Sequence, residues 1–253
     1  MWAIAIGLLV LIAAVSWTAV PIVQVHLVVR DTRLPEKDAS FVARLGGEGA
    51  ARERLKRCLY LADWLAPDRF RTATLLRCCP GGEKALIGIL RDPGAPVDLR
   101  EMVPAVLIAE LTGDMDEPRG WLAAEFERSF EDPCPEVRLA AAGAVWRLCE
   151  LHQVPDRQLA SALDVIIETM KQEDVTLRHM AVRDLSTAMA FSDSSDPASG
   201  KLRRRAEAAL KAALKDDDPG VRRTAALMLE ASGSGTAGSS DRKAQPPGSV
   251  PRK

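Results

Sequence analysis

Asp132-Pro-Cys-Pro-Glu-Val137-Arg138-Leu-Ala-Ala141-Ala142-Gly-Ala-Val145 returns further along the chain as Asp216-Asp-Asp-Pro-Gly-Val221-Arg222-Arg-Thr-Ala225-Ala226-Leu-Met-Leu229. A third copy lies between them, with Leu177-Arg178 as its apolar-arginine pair, Ala181-Val182 at the small positions and Leu185 closing the stripe. The copies are spaced by 40 and then 44 residues. Internal similarity at such a period marks a solenoid, because one helical hairpin cannot bury its apolar face alone and must stack on a neighbour.

Each position has a physical reading. Asp or Pro at the turn starts a helix by capping free amides or fixing φ in the first turn. The apolar residue at Val137, Leu177 or Val221 shares a stripe with the residues four and eight positions later. Alanine pairs at 141–142 and 225–226 allow backbones to approach closely. Arg138, Arg178 and Arg222 are the polar residue common to all three copies, and a scaffold would use them to reach an acidic group across the turn or carbonyls of the next repeat. Upstream, Asp92-Pro-Gly-Ala-Pro-Val97 repeats the turn, but Asp98-Leu-Arg-Glu departs from the helix that should follow. Before it, Pro67-Asp-Arg-Phe70-Arg71, leading into Ala73 and Leu75-Leu76, reads as a worn copy.

The pattern at Asp132, Pro133, Val137, Arg138, Ala141 and Ala142, at Leu177, Arg178 and Ala181, and at Asp216, Val221, Arg222, Ala225 and Ala226 resembles the HEAT-like repeat named after phycobilisome lyase subunits. It covers residues 132–231 and extends in weaker form to about 68. It departs at Gln172-Glu-Asp-Val-Thr176, which has no proline, and after Leu185, where a glycine-ended helix is missing. The resemblance implies an all-α fold, a HEAT-like α-solenoid of antiparallel helix pairs, serving as a binding surface or an assembly helper. Some relatives assist chromophore attachment, so a lyase-like accessory role in maturation is the alternative it carries.

Residues 2–29 contain no Asp, Glu, Lys or Arg, and at about 1.5 Å per residue they are long enough to cross a hydrocarbon layer of roughly 30 Å. One transmembrane helix is expected to precede the solenoid. A cleaved signal peptide and a buried helix are the competing readings, although a basic n-region is missing and the apolar run is longer than such a leader needs. Pro21 marks the end of the most regular part, leaving 22–29 as an interfacial exit. Arg30, Arg33, Lys37 and Arg44 follow the span and no basic side chain precedes it, which points to a single-pass protein with its repeat domain in the cytoplasm. Five cysteines in an odd set without regular spacing fit a reducing compartment.

The domain plan is a transmembrane anchor over 1–29, a juxtamembrane linker over 30–50, a repeat domain over 51–231 and a disordered tail over 232–253, too poor in large apolar groups to fold alone. The expected helices are 51–65, one ending near Arg77, 83–90, 98–112, 119–130, 137–151, 157–171, 175–189, 201–215 and 219–230. Phe191–Gly200 lengthens one turn, and such insertions lie on one edge of a solenoid.

Catalytic chemistry is not legible. Cys134, Cys149 and His152 lack a fourth ligand at regular spacing, so no metal and no cofactor is expected. Adjacent Cys78 and Cys79 lack the Cys-x-x-Cys pattern of redox sites. Glu125, Glu127 and Glu131 do not share one helix face, and Gly46-Gly47-Glu-Gly49 lacks the lysine and the preceding strand of a phosphate loop. Lys201-Leu-Arg203-Arg204-Arg205 is locally basic, yet Asp216-Asp-Asp218 follows it and the chain carries a net charge of −1, which argues against a nucleic-acid track and leaves a nucleic-acid-binding helical-repeat protein as a further alternative. The expectation is therefore a membrane-tethered scaffold for a protein partner, with Arg204 available to that partner. It is not expected to be an enzyme.

Overall fold

The computed structural model describes residues 22–25, 27–29, 40–61, 68–109, 120–151, 154–191 and 197–237. Its elements are α1 (Ser40–Arg44), α2 (Glu48–Leu59), α3 (Arg69–Arg77), α4 (Gly82–Leu90), α5 (Val97–Ile108), α6 (Trp121–Glu127), a 3-10 turn (Arg128–Glu131), α7 (Pro135–Leu151), α8 (Asp156–Thr169), α9 (Val175–Phe191), α10 (Pro197–Ala213) and α11 (Pro219–Ala237). No strand occurs among the described residues.

Two rows of helices are stacked. In one row, α3, α5, α7, α9 and α11 pack each on the next; in the other, α6, α8 and α10 do the same. The repeat phrases open α7, α9 and α11, and their stripe residues explain the stacking. Val137, Leu177 and Val221 are buried, as are Ala141, Ala142, Ala181, Ala225, Val145 and Leu185. Small side chains on a buried stripe let neighbouring backbones approach closely, and larger ones fill the core around them.

The worn copies upstream form helices as well. Asp68 caps α3, its Oδ1 accepting the Arg71 N–H at 3.0 Å, and Ala73, Leu75 and Leu76 are buried. The α3–α4 corner depends on glycine. Gly81 has φ +73°, and a Cβ on Gly82 would lie 1.7 Å from the Leu76 carbonyl oxygen, so no side chain fits there.

The structure differs from the expected domain plan at three places. Residues 22–25 and 27–29 are helical, and Val25, Val28 and Val29 are buried in the repeat core. Gln24 accepts a hydrogen bond from Arg54 Nη1 at 2.7 Å. This part of the apolar segment therefore packs on protein and does not form an exit from a bilayer. The remainder of the expected span, 2–21, lies outside the described residues, and no described helix is long and apolar enough to cross a membrane. Within the expected linker, α1 and the start of α2 are helical, and Phe41 of α1 and Leu45, whose N–H closes a further helical turn on the Phe41 carbonyl just past α1, are buried. These two residues are four apart, so one helical face presents both to the core. Within the expected tail, α11 continues to Ala237, and residues 238–253 lie outside the described part. The expected insertion is shorter as well, because α10 starts at Pro197, where proline's preset φ suits a first helical turn.

Candidate functional site

The repeat arginines all act on the turn before their own helix. Arg138 Nη1 donates to the carbonyls of Asp132 (2.7 Å) and Pro133 (3.2 Å). Arg178 Nη1 donates to Gln172 (3.0 Å) and Glu173 (2.8 Å). Arg222 Nη1 donates to Asp216 (2.6 Å) and Asp217 (2.9 Å). The turn aspartates close the same loops: Asp132 Oδ1 accepts from the Cys134 N–H and Asp216 Oδ1 from the Asp218 N–H, each at 2.9 Å. Between repeats, Arg178 Nε and Nη2 grip the two oxygens of Asp216 at 2.9 and 3.0 Å. Burial raises the Asp216 carboxyl, but Arg178 and the Asp218 N–H outweigh it and leave the group below its ordinary value. A second such link joins buried Arg100 to Asp132. Arg100 comes from the degenerate copy, where Asp98 occupies the arginine position and pairs with Arg69 instead.

A different set of side chains lines a cavity. The outward face of the α5–α7–α9–α11 row carries a cavity of about 560 Å³. Glu101, Arg147, Met180, Arg183, Asp184 and Met228 are the lining groups that give it chemical character. Four helices contribute, so the cavity exists only in the stack. Asp184 sits at its inner side: a Cβ on Gly143 would meet Asp184 Oδ2 at 2.7 Å. Arg147 Nη2 lies 3.7 Å from Asp184 Oδ1. Burial pushes the Asp184 carboxyl up to about 6 against the pull of Arg147 and Arg183. Glu101 is raised too, by burial first and then by the like charges of Glu136 and Asp98. Arg147, Arg183 and Met180 are exposed. The cavity thus offers both signs of charge beside two methionines, whose flexible thioethers adapt to varied apolar partners.

Arg204 is exposed on α10 and does not line this cavity. Glu125 and Glu127 tie elements together, Glu125 to Arg91 at the C-cap of α4 and to Arg128, and Glu127 to Arg157 and Gln158 of α8. His179 is held between Thr224, with Oγ1 3.3 Å from Nδ1, and Asp218, with Oδ1 3.5 Å from Nε2. Burial pushes the thiols of Cys58 and Cys79 up to about 11, which leaves them protonated and unreactive at neutral pH. His152 lies outside the described residues, and no group of three potential metal ligands occurs among those described. Sequence reasoning missed Glu101, Arg147, Arg183 and Asp184 because each is an ordinary polar residue on a helix. The available signal was Gly143, a helix-weakening residue inside an alanine run, which marks a close approach.

A family model described as HEAT repeat matches residues 124–152. No curated protein matches the chain. Among solved structures, a designed armadillo repeat protein in complex with the peptide (KR)4 is 14% identical, with a TM-score of 0.47, over 83% of this chain and 97% of that one. An engineered protein is 17% identical, with a TM-score of 0.46, over 83% of this chain and 89% of its own. A second designed armadillo repeat protein is 15% identical, with a TM-score of 0.45, over 83% and 98%. With its internal repeats and its stacked helices, the chain is a helical-repeat protein.

Proposed function

We propose that this chain is a scaffold that seats a segment of a protein partner on the α5–α7–α9–α11 row and performs no catalysis of its own. The observation that carries this reading is the four-helix cavity. Its charged groups converge from three helices, yet they take no part in the arginine–aspartate links that hold the turns. Stacked repeats produce extended surfaces of this kind because each repeat adds one outward-facing helix.

The second element of the proposal is a membrane tether formed by residues 2–21, which contain no Asp, Glu, Lys or Arg. At about 1.5 Å per residue, that length matches a hydrocarbon core of roughly 30 Å. The basic residues beyond it favour the cytoplasmic side. Since Val25, Val28 and Val29 are already buried in the repeat core, such a tether would hold the domain close to the bilayer surface. Carbonate extraction of membranes from expressing cells tests this part, and release of the intact chain into the supernatant would refute it.

The binding reading is tested by affinity capture with the full-length protein, with an Arg147→Glu/Arg183→Glu variant and with Arg204→Glu, identifying bound proteins by mass spectrometry. The expected result is a partner shared by wild type and Arg204→Glu and lost from the double variant. A partner that ignores the double reversal would place binding elsewhere.

A further inference from the structure

We propose that Arg138 is an open rung of the arginine–aspartate ladder and receives the carboxylate of an aspartate or glutamate side chain from a protein partner. At Arg178 the guanidinium does two jobs: Nη1 holds its own turn, while Nε and Nη2 grip Asp216 of the next repeat. Arg138 performs the first job with the same geometry. The second has no partner among the described residues. Six residues before each repeat arginine stand Asp132, Gln172 and Asp216, so the carboxylate that Arg138 would take from the next repeat is replaced by an amide. Among the described residues, nothing accepts from Arg138 Nε or Nη2.

A cavity of about 350 Å³ lies beside this arginine, lined by Arg138, Phe130, Asp164, Val165, Glu168 and Thr169. Its two carboxylates are already engaged, Asp164 with Arg205 and Glu168 with Lys171. Arg138 is therefore the cation left unmatched in the lining. The nearby turn adds Asp174, occupied in capping α9 through the N–H groups of Thr176 and Leu177, and exposed Glu173. These acids disfavour a doubly charged phosphate but tolerate one carboxylate bound in the fork. Phe130 and Val165 supply an apolar wall for the methylenes of an acidic side chain. Because Nη1 is pinned by two carbonyls, the fork is already oriented, and binding costs little additional side-chain freedom.

The site shares no lining residue with the 560 Å³ cavity, so its failure would leave the proposed function standing. The test uses the full-length protein with 15N-labelled arginine side chains. N-acetylglutamate N-methylamide is titrated against the Arg138 Nε–H signal, with N-acetylglutamine N-methylamide as the neutral control. A saturable shift is expected with the glutamate probe alone. Gln172→Asp, which closes the rung from within, is expected to weaken that binding about tenfold while leaving the Arg178 Nε–H signal in place as a reporter of the fold. No shift, an equal shift with the glutamine probe, or undiminished binding in Gln172→Asp would each overturn the proposal.

Discussion

Gly143→Ala tests the packing beneath the main cavity, because two effects of known sign oppose each other there. Replacing glycine by alanine inside a helix ordinarily stabilises by about 1 kcal/mol, through backbone entropy and propensity. At Gly143 the new Cβ would stand 2.7 Å from Asp184 Oδ2, 3.0 Å from its Cγ and 3.2 Å from Oδ1. Three contacts inside van der Waals range, on a carboxylate only 14% exposed, place the change among overpacking substitutions that cost about 1–3 kcal/mol. The steric term wins, and the net loss is about 1 kcal/mol. Gly88 is the control, since it lies inside α4 and an added Cβ would have nothing within 4 Å; Gly88→Ala is expected to stabilise by about 1 kcal/mol. In an Asp184→Ala background the clash disappears and Gly143→Ala changes sign, giving a coupling of about 2 kcal/mol. Urea unfolding followed by far-ultraviolet circular dichroism measures all four variants. A Gly143→Ala protein as stable as wild type, or one still destabilised without Asp184, would refute the reasoning.

Asp184 also predicts a pH dependence. Its folded value, about 6, lies above that of an unfolded aspartate, so the native state holds the proton more tightly and this group's contribution to stability falls as pH rises from about 4 to 6. Asp184→Asn should flatten that part of the stability–pH profile, and an unchanged slope in denaturant titrations would show the carboxyl to be relaxed. Arg100→Met leaves the Asp132 carboxylate buried without its cation and should cost about 3 kcal/mol, read from the unfolding midpoint; a loss below about 1 kcal/mol would mean that water replaces the guanidinium. A chain beginning at Ser40 lacks buried Val25, Val28 and Val29 and should be about 4 kcal/mol less stable than one beginning at Ile22. Equal stability of the two would show that the N-terminal segment docks without holding the fold.

Much of the architecture was legible from residue order alone, because stacking is a nearest-neighbour property. The recurrence of Val137, Leu177 and Val221 with small residues four positions on dictates which face of α7, α9 and α11 turns inward, and any stack of such hairpins buries that face. The arginine beside each apolar residue was legible as a common device, although its first duty proved to be its own turn, a distinction that depends on where carbonyls point after the chain has bent. The domain edges were misread for the opposite reason. Hydropathy measures how strongly residues 22–29 avoid water and is silent on whether lipid or protein covers them. Phe41 and Leu45, by contrast, stand in a mostly apolar stretch of only five residues, too short for its periodicity to announce a helix. The candidate site was the least legible part. Glu101, Arg147, Arg183 and Asp184 come from three helices, and their proximity, the raised Asp184 carboxyl and the open fork of Arg138 are products of stacking. Local sequence set the helices and their inward stripes, through short-range periodicity and capping; only the tertiary structure decided which polar groups were spent holding repeats together and which were left outside those links, because that division depends on distances between helices.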